Sequence, residues 1–115
     1  MRNNGNATVD LVNLTGNDIR ILIHEGEKVI KKAAWQAKCR VDRRQVDEID
    51  GIPITVNTKE IPVGVPNEKD GTIYIVSKVV GEKLKEMGRT DDILVPDEIV
   101  RSGSVILGCK SLTKA

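Results

Sequence analysis

Apolar residues recur mostly at every second position along this chain, a spacing that predicts strands more than helices. Ile19, Ile21 and Ile23 alternate with Arg20, Leu22 and His24, the pattern of a half-buried strand. Upstream, residues 8–14 read as a short strand with Val9 and Leu11 on one side. Thr15-Gly16-Asn17-Asp18 reads as the turn that joins the two into a hairpin. Ala37, Cys39 and Val41 alternate with Lys38, Arg40 and Asp42, so a strand is expected there, although Ala33-Ala34-Trp35-Gln36-Ala37 has the propensity to begin a helix. Residues 43–50 read as a charged connection or a continuing strand pair. Gly51-Ile52-Pro53 punctuates the chain, and Ile54-Thr55-Val56 is a short strand that the proline holds near an edge. Residues 62–71 carry Pro62, Gly64, Pro66 and Gly71 and read as a loop.

The period changes once. Residues 72–76 form a compact apolar strand, after which Val80, Leu84 and Met87 fall at i, i+4 and i+7. That stripe predicts a core-facing helix at about 78–88. Ser77 suits its N-cap and Gly88 the left-handed position past its end, while Lys83 and Lys85 sit where the macrodipole favours cations. Asp91-Asp92 is a turn, followed by Ile93-Leu94-Val95, a strand ended by Pro96. Ile99-Val100-Arg101 and Val105-Ile106-Leu107 flank Ser102-Gly103-Ser104, a hairpin signal. The expected fold is α+β: a mostly antiparallel β-sheet with one well-defined helix. It forms a single domain over residues 1–115, with residues 1–6 and 112–115 frayed.

Composition sharpens this. The chain has one Trp, one Tyr and no Phe, so its core is built from Val, Ile and Leu, which favour strands. Eighteen basic residues face 17 acidic ones, a net charge of +1, without the basic excess expected of a protein that neutralises phosphates along nucleic acid. Two aromatic residues also make few stacking platforms for single strands. Nucleic acid is therefore not an expected partner. Cys39 and Cys109 are far apart, unlike a disulfide scaffold, and free thiols in the cytoplasm are expected. No apolar run is long enough to span a membrane, and the polar first ten residues hold no signal-peptide core. Asn6-Ala7-Thr8 and Asn13-Leu14-Thr15 match the glycosylation pattern, which a cytoplasmic chain does not use.

Few residues suggest chemistry. At Val76-Ser77-Lys78 a strand passes into a helix, whose first N–H groups lack partners and carry partial positive charge. Ser77 and Lys78 would add donors for a phosphate there, although serine at this position is first of all a common cap. Asp91 and Asp92 read as a turn before they read as a metal or acid/base pair, and no histidine or further acid lies at ligand spacing. His24 is the only histidine and completes no catalytic triad. Cys109 reads as a small apolar core residue. Tyr74 and Trp35 are the two residues able to stack on a purine; Tyr74 reads equally as a core residue with its hydroxyl at the rim. No phosphate-binding glycine motif, metal site or cofactor is expected.

Four segments occur in order: Val12-Asn13-Leu14-Thr15, Gly71-Thr72-Ile73-Tyr74-Ile75-Val76-Ser77, Asp91-Asp92-Ile93-Leu94-Val95-Pro96 and Ile106-Leu107-Gly108-Cys109-Lys110. This set resembles a family of small proteins of phages and mobile elements, whose members often begin with an Asn-Leu-Thr-Pro-His stretch and end with Gly-Cys. The resemblance covers most of the chain, weakly over residues 25–60. Here Gly16 and Asn17 stand where Pro and His are usual, and the loss of that His argues for binding over catalysis. Small phage proteins of this kind resemble anti-defence sponges such as Sequestin and Lockin, which capture nucleotide signals such as cyclic ADP-ribose variants, histidine-linked ADP-ribose or cyclic dinucleotides, those of Thoeris defence among them. The resemblance implies a homo-oligomer that sequesters a small nucleotide-derived ligand in the cytoplasm of an infected bacterium without cleaving it. On this reading Ser77, Lys78 and the 77–80 backbone hold phosphate, Asn13 and Thr15 bond ribose or base, Val76 and Pro96 line the pocket, and Tyr74 and Asp92 are further ligand contacts. Two rivals stand beside it. One is a nucleotide hydrolase or phosphodiesterase using Asp91 or Asp92 with His24; the other is an interaction module that inhibits a host factor.

Overall fold

A computed structural model describes residues 9–115. The chain runs β1 (Asp10–Asn13), β2 (Ile19–Ile23), β3 (Gly26–Ile30), β4 (Lys38–Ile49), β5 (Ile52–Val63), β6 (Thr72–Ile75), α1 (Lys78–Glu86), β7 (Ile93–Ser102) and β8 (Val105–Lys114). The fold is α+β, dominated by antiparallel pairing, with one helix among the described residues. Six strands form one mixed sheet in the order β1-β6-β7-β8-β2-β3, and β4 and β5 form a separate two-stranded ribbon. The frayed ends expected at 1–6 lie outside the described residues, as does Thr8.

The expected hairpin of residues 8–14 with 19–24 does not form. β1 pairs in parallel with β6, with Asp10 opposite Thr72 and Asn13 opposite Ile75, while β2 makes its hairpin with β3. An apolar alternation says which face a strand buries and nothing about its neighbour, so the short turn at 15–18 was a poor guide to pairing. The sheet also curls until its two outer strands meet. Asn13 bridges in parallel to Lys32, the Ala33 N–H donates to the Asn13 carbonyl at 2.8 Å, and the Ala37 N–H donates to the Leu14 carbonyl at 2.9 Å.

Two apolar clusters result. Ile19, Ile75 and Cys109 pack on one face of the sheet. Leu14, Tyr74, Val76, Ile93 and Val95 pack on the other, where Ala37 and the helix residues Val80 and Leu84 cover them. Met87, expected on that stripe, is 68% exposed, because the helix ends at Glu86 and Met87 turns away as its C-cap. Gly81 is the point of closest approach of helix and sheet; a Cβ there would stand 2.6 Å from Val95 Cγ1. Gly88 takes the left-handed conformation at φ 86°, and the Arg89 N–H closes the helix on the Leu84 carbonyl at 2.9 Å.

β7 and β8 both outrun expectation. β7 continues through Pro96 to Ser102 instead of ending at the proline. Leu94 directs its backbone toward β6, accepting from the Val76 N–H, and Pro96 has the same orientation two residues later. By then β6 has given way to the helix, so the missing N–H removes no ladder bond. Residues 112–114, read as a frayed tail, are paired in β8, with Pro96 opposite Leu112 and Leu94 opposite Lys114. The expected loop over 62–71 begins two residues late, since β5 runs to Val63.

Candidate functional site

The parallel strands β1, β6 and β7 carry the register that gathers the candidate residues. The Leu14 N–H donates to the Ile75 carbonyl and the Val76 N–H to the Leu94 carbonyl, so the ends of β1 and β6 lie level with the middle of β7. Asn13, Thr15, Val76, Ser77, Lys78 and Pro96 therefore sit toward one end of the sheet, where the chain leaves β6 and enters α1. Tyr74 and Asp92 sit further back, joined by the Tyr74 N–H to the Asp92 carbonyl at 2.8 Å.

At the helix start, Ser77 is extended (φ −65°, ψ 159°) and its hydroxyl accepts from the Val80 N–H at 3.4 Å. That bond is long for a cap. The N–H groups of Lys78 and Val79 precede the first intrahelical bonds. The first turn contains no acidic residue to meet the positive end of the macrodipole; it contains Lys78, whose exposed ammonium makes no ion pair with any described residue. Helices place anions here and cations at the far end. Lys83 and Lys85 obey that rule at the far end, and Lys78 breaks it.

Asn13 and Thr15 are placed beside this end but are committed to the fold. Asn13 is 1% exposed. Its Nδ2 donates to the carbonyls of Asn17 at 2.7 Å and Ile30 at 2.9 Å, and its Oδ1 accepts from the Thr15 N–H at 3.0 Å and the Thr15 hydroxyl at 2.7 Å. Both amide donors and the carbonyl oxygen are in use, so the expected contact of Asn13 with ribose or base is replaced by a latch between the outer strands. The Asn17 carbonyl, 3.0 Å from the Thr15 hydroxyl, is the alternative acceptor for its single proton. Val76 is fully buried and Pro96 partly so; Val76 supports the site from beneath rather than lining it. Nearby, Asp18 accepts from the Lys32 N–H at 2.9 Å and from Lys31 Nζ at 3.4 Å, and the backbone bond holds its carboxyl below the usual range.

Tyr74 and Asp92 belong to a second arrangement, organised by Arg89, which the sequence pattern did not single out. The Arg89 guanidinium grips Asp92 with two bonds, Nε to Oδ1 at 3.1 Å and Nη2 to Oδ2 at 2.8 Å, and donates from Nη2 to the Pro66 carbonyl at 2.7 Å. It also lies 5.8 Å from the centre of the Tyr74 ring. The bond to Asp92 raises the Arg89 pKa. Tyr74 is 5% exposed, so its ring is a core wall and not a stacking platform. Trp35 is 48% exposed, with its indole N–H donating to the Gly64 carbonyl at 2.8 Å. An arginine three residues before an aspartate, across a turn, was the available signal for this pair.

A cavity of about 330 Å³ opens at the start of β6, lined by Val9, Glu68, Lys69, Asp70, Thr72, Asp91, Asp92 and Lys114 among others. That lining holds four carboxylates, one of them Asp92 held by Arg89, and two ammonium groups, so its remaining potential does not favour a phosphate. A second cavity of about 350 Å³ is lined by Asp18, Arg20, Ile106, Leu107 and Gly108. Ser77 and Lys78 line neither. His24, exposed in the turn after β2, also lines neither, whereas Asp91 and Asp92 line the first. Both cysteines are free, and burial pushes both thiols up. Among the described residues no three His, Cys, Asp or Glu side chains are grouped to hold a metal, and no helix is long and apolar enough to cross a membrane. No protein-family model, curated protein or solved structure matches the chain.

Proposed function

We propose that this protein binds the anionic part of a small nucleotide-derived ligand at the start of α1 and holds it without cleaving it, as a viral sponge for an ADP-ribose-type immune signal in the bacterial cytoplasm. One observation carries the reading: a helix N-terminus with no acid in its first turn and, in it, Lys78, which makes no ion pair with any described residue, a positive site at the ends of parallel strands. A bound phosphate would accept from the N–H groups of Lys78 and Val79 and from the Ser77 hydroxyl, and its charge would meet Lys78. The resemblance to phage sponges supplies the ligand class. Thr15 and Pro96 flank the place, and Asn13 acts by fixing Thr15.

Calorimetry with ADP-ribose, cyclic ADP-ribose and histidine-linked ADP-ribose tests the reading, followed by denaturation and recovery of the ligand. Intact ligand after long incubation is expected; a cleaved product would establish the hydrolase alternative. Ser77→Glu puts like charge on the phosphate position, and affinity should fall at least about tenfold, ~1.4 kcal/mol. A folded Ser77→Glu protein with wild-type affinity removes the ligand from this end of the helix.

A further inference from the structure

We propose that two copies of this chain pair through their β4–β5 ribbons, packed face to face about a two-fold axis with the ribbons running in opposite directions. This pairing does not rest on the ligand reading. It begins with the ribbon's own pattern. Ile52, Ile54 and Val56 alternate along β5 and so share a face, and Ile49 joins them as the direct partner of Ile52. The four are exposed by 55% (Ile49), 60% (Ile52), 36% (Ile54) and 40% (Val56). The intervening residues Pro53, Thr55 and Asn57, with Glu48, Gln45 and Arg43 opposite them, make the other face mostly polar, and Val46, 49% exposed, sits in the bulge between Gln45 and Asp47. The distal ribbon is thus amphipathic, and none of the described residues covers its apolar side.

A two-stranded hairpin is at best marginally stable in water unless something packs on it. Here the two strands join through a tight turn at Asp50 (φ 52°) and Gly51 (φ 78°), the pattern of a type I′ turn, which fixes their register to the tip. The ribbon is therefore a built arm. The molecule is correspondingly extended, 63 Å along its long axis with a radius of gyration of 17.8 Å. A compact domain of this length has ~13 Å.

Charge identifies the occupant. The first seven residues of β4 hold Lys38, Arg40, Arg43 and Arg44 against Asp42 alone, a net of +3. Then come Asp47, Glu48 and Asp50 with no cation, a net of −3, and residues 52–57 are uncharged. The arm is positive toward its base and negative toward its tip. Two such arms laid in the same direction oppose like charges; laid in opposite directions, each base meets the other's tip. Arg44 is paired with Val56 and Asp47 with Ile54, so both charges share the apolar face and flank its stripe. Under a two-fold axis Arg44 of one copy reaches Asp47 of the partner subunit, and the reverse contact comes with it, the self-complementarity an isologous interface requires.

Sedimentation velocity over a wide concentration range tests this. Wild-type protein should dimerise, with a dissociation constant that rises with salt. Ile54→Glu, at a solvent-facing site of the free chain, should weaken pairing at least tenfold with an unchanged circular dichroism spectrum. Two further variants separate pairing from folding. Arg43→Glu/Arg44→Glu and Asp47→Lys/Glu48→Lys give the arm a strongly negative and a strongly positive net charge respectively and should be monomeric alone, yet form a heterodimer when mixed. A wild-type chain monomeric at several hundred micromolar overturns the proposal. So does a dimer indifferent to Ile54→Glu, or one whose charge-reversed variants fail to recombine. An arm that is monomeric but captures a host protein would favour the interaction-module alternative instead.

Discussion

Replacing Asn13 by Asp is the sharpest probe of how the sheet is closed. The substitution preserves shape and the acceptor role toward the Thr15 N–H and hydroxyl, at 3.0 and 2.7 Å, but removes both donors. The carbonyls of Ile30 and Asn17, bonded at 2.9 and 2.7 Å in the wild type, then face a carboxylate. Two lost bonds at about 1 kcal/mol each, plus the cost of leaving a nearly buried group opposed by carbonyl dipoles, give ~3 kcal/mol. For a chain of this length that lowers the melting temperature by roughly 12 °C. Desolvation and the two carbonyls also raise the carboxyl pKa in the folded variant, so the folded state holds its proton more tightly than the unfolded one. The defect should therefore be mild below the unfolded value of ~3.9 and grow as pH rises through the raised folded value. Urea melts of wild type and variant at pH 4 and pH 7 measure both quantities. A loss under 1 kcal/mol at pH 7, or a defect independent of pH, would show that Asn13 does not hold the outer strands together.

Two further substitutions address the remaining supports. Gly81→Ala improves helix propensity by ~1 kcal/mol but drives a methyl to 2.6 Å from the stiff Val95 side chain; overpacking of ~1–3 kcal/mol should win, and a variant that melts higher than wild type would refute that balance. Arg89→Lys keeps the charge and loses the two-point grip on Asp92 with the bond to Pro66, so hydrogen exchange should quicken in residues 64–70 while the ribbon is unaffected; unchanged exchange there would mean the loop is held by other contacts.

The strand-to-helix unit was legible because its signals are local: the apolar run before Ser77, the cap itself, the helical stripe and Gly88 all lie within one stretch. The β7–β8 hairpin was legible through Gly103 for the same reason. What the sequence concealed depends on distant partners. Nothing in Val12 or Leu14 announces that β1 will pair with β6, and nothing in Asn13 distinguishes a latch from a ligand contact until Ile30 is brought beside it. The arm was half legible. Asp50-Gly51 between Ile49 and Ile52 is a strong hairpin signal, but the charges of β4 mask its alternation, and placing the turn at Gly51-Ile52-Pro53 hid the pairing of the two isoleucines. Pro96 misled because its cost depends on whether a neighbouring strand is still present. The positive end of α1 was visible as Ser77-Lys78, whereas the grouping of Tyr74 and Asp92 with Arg89 was not, since β6 and the turn before β7 meet only in the folded sheet.

The parallel ladder between β1 and β6 also orders the assembly of the chain in time. The pairs β2–β3, β4–β5 and β7–β8 are each joined by two-residue links, and each closes without waiting for another. Asp10 meets Thr72 only after the whole arm has been spanned, and a loop of that length repays its closure entropy only when the rest of the sheet is there to receive it. β1 is therefore admitted after the hairpins, as is the ladder of β2 with β8, whose Ile21 and Cys109 lie still further apart in the chain. Until β1 arrives, β6 presents a bare edge, the surface on which misfolded or swapped chains start.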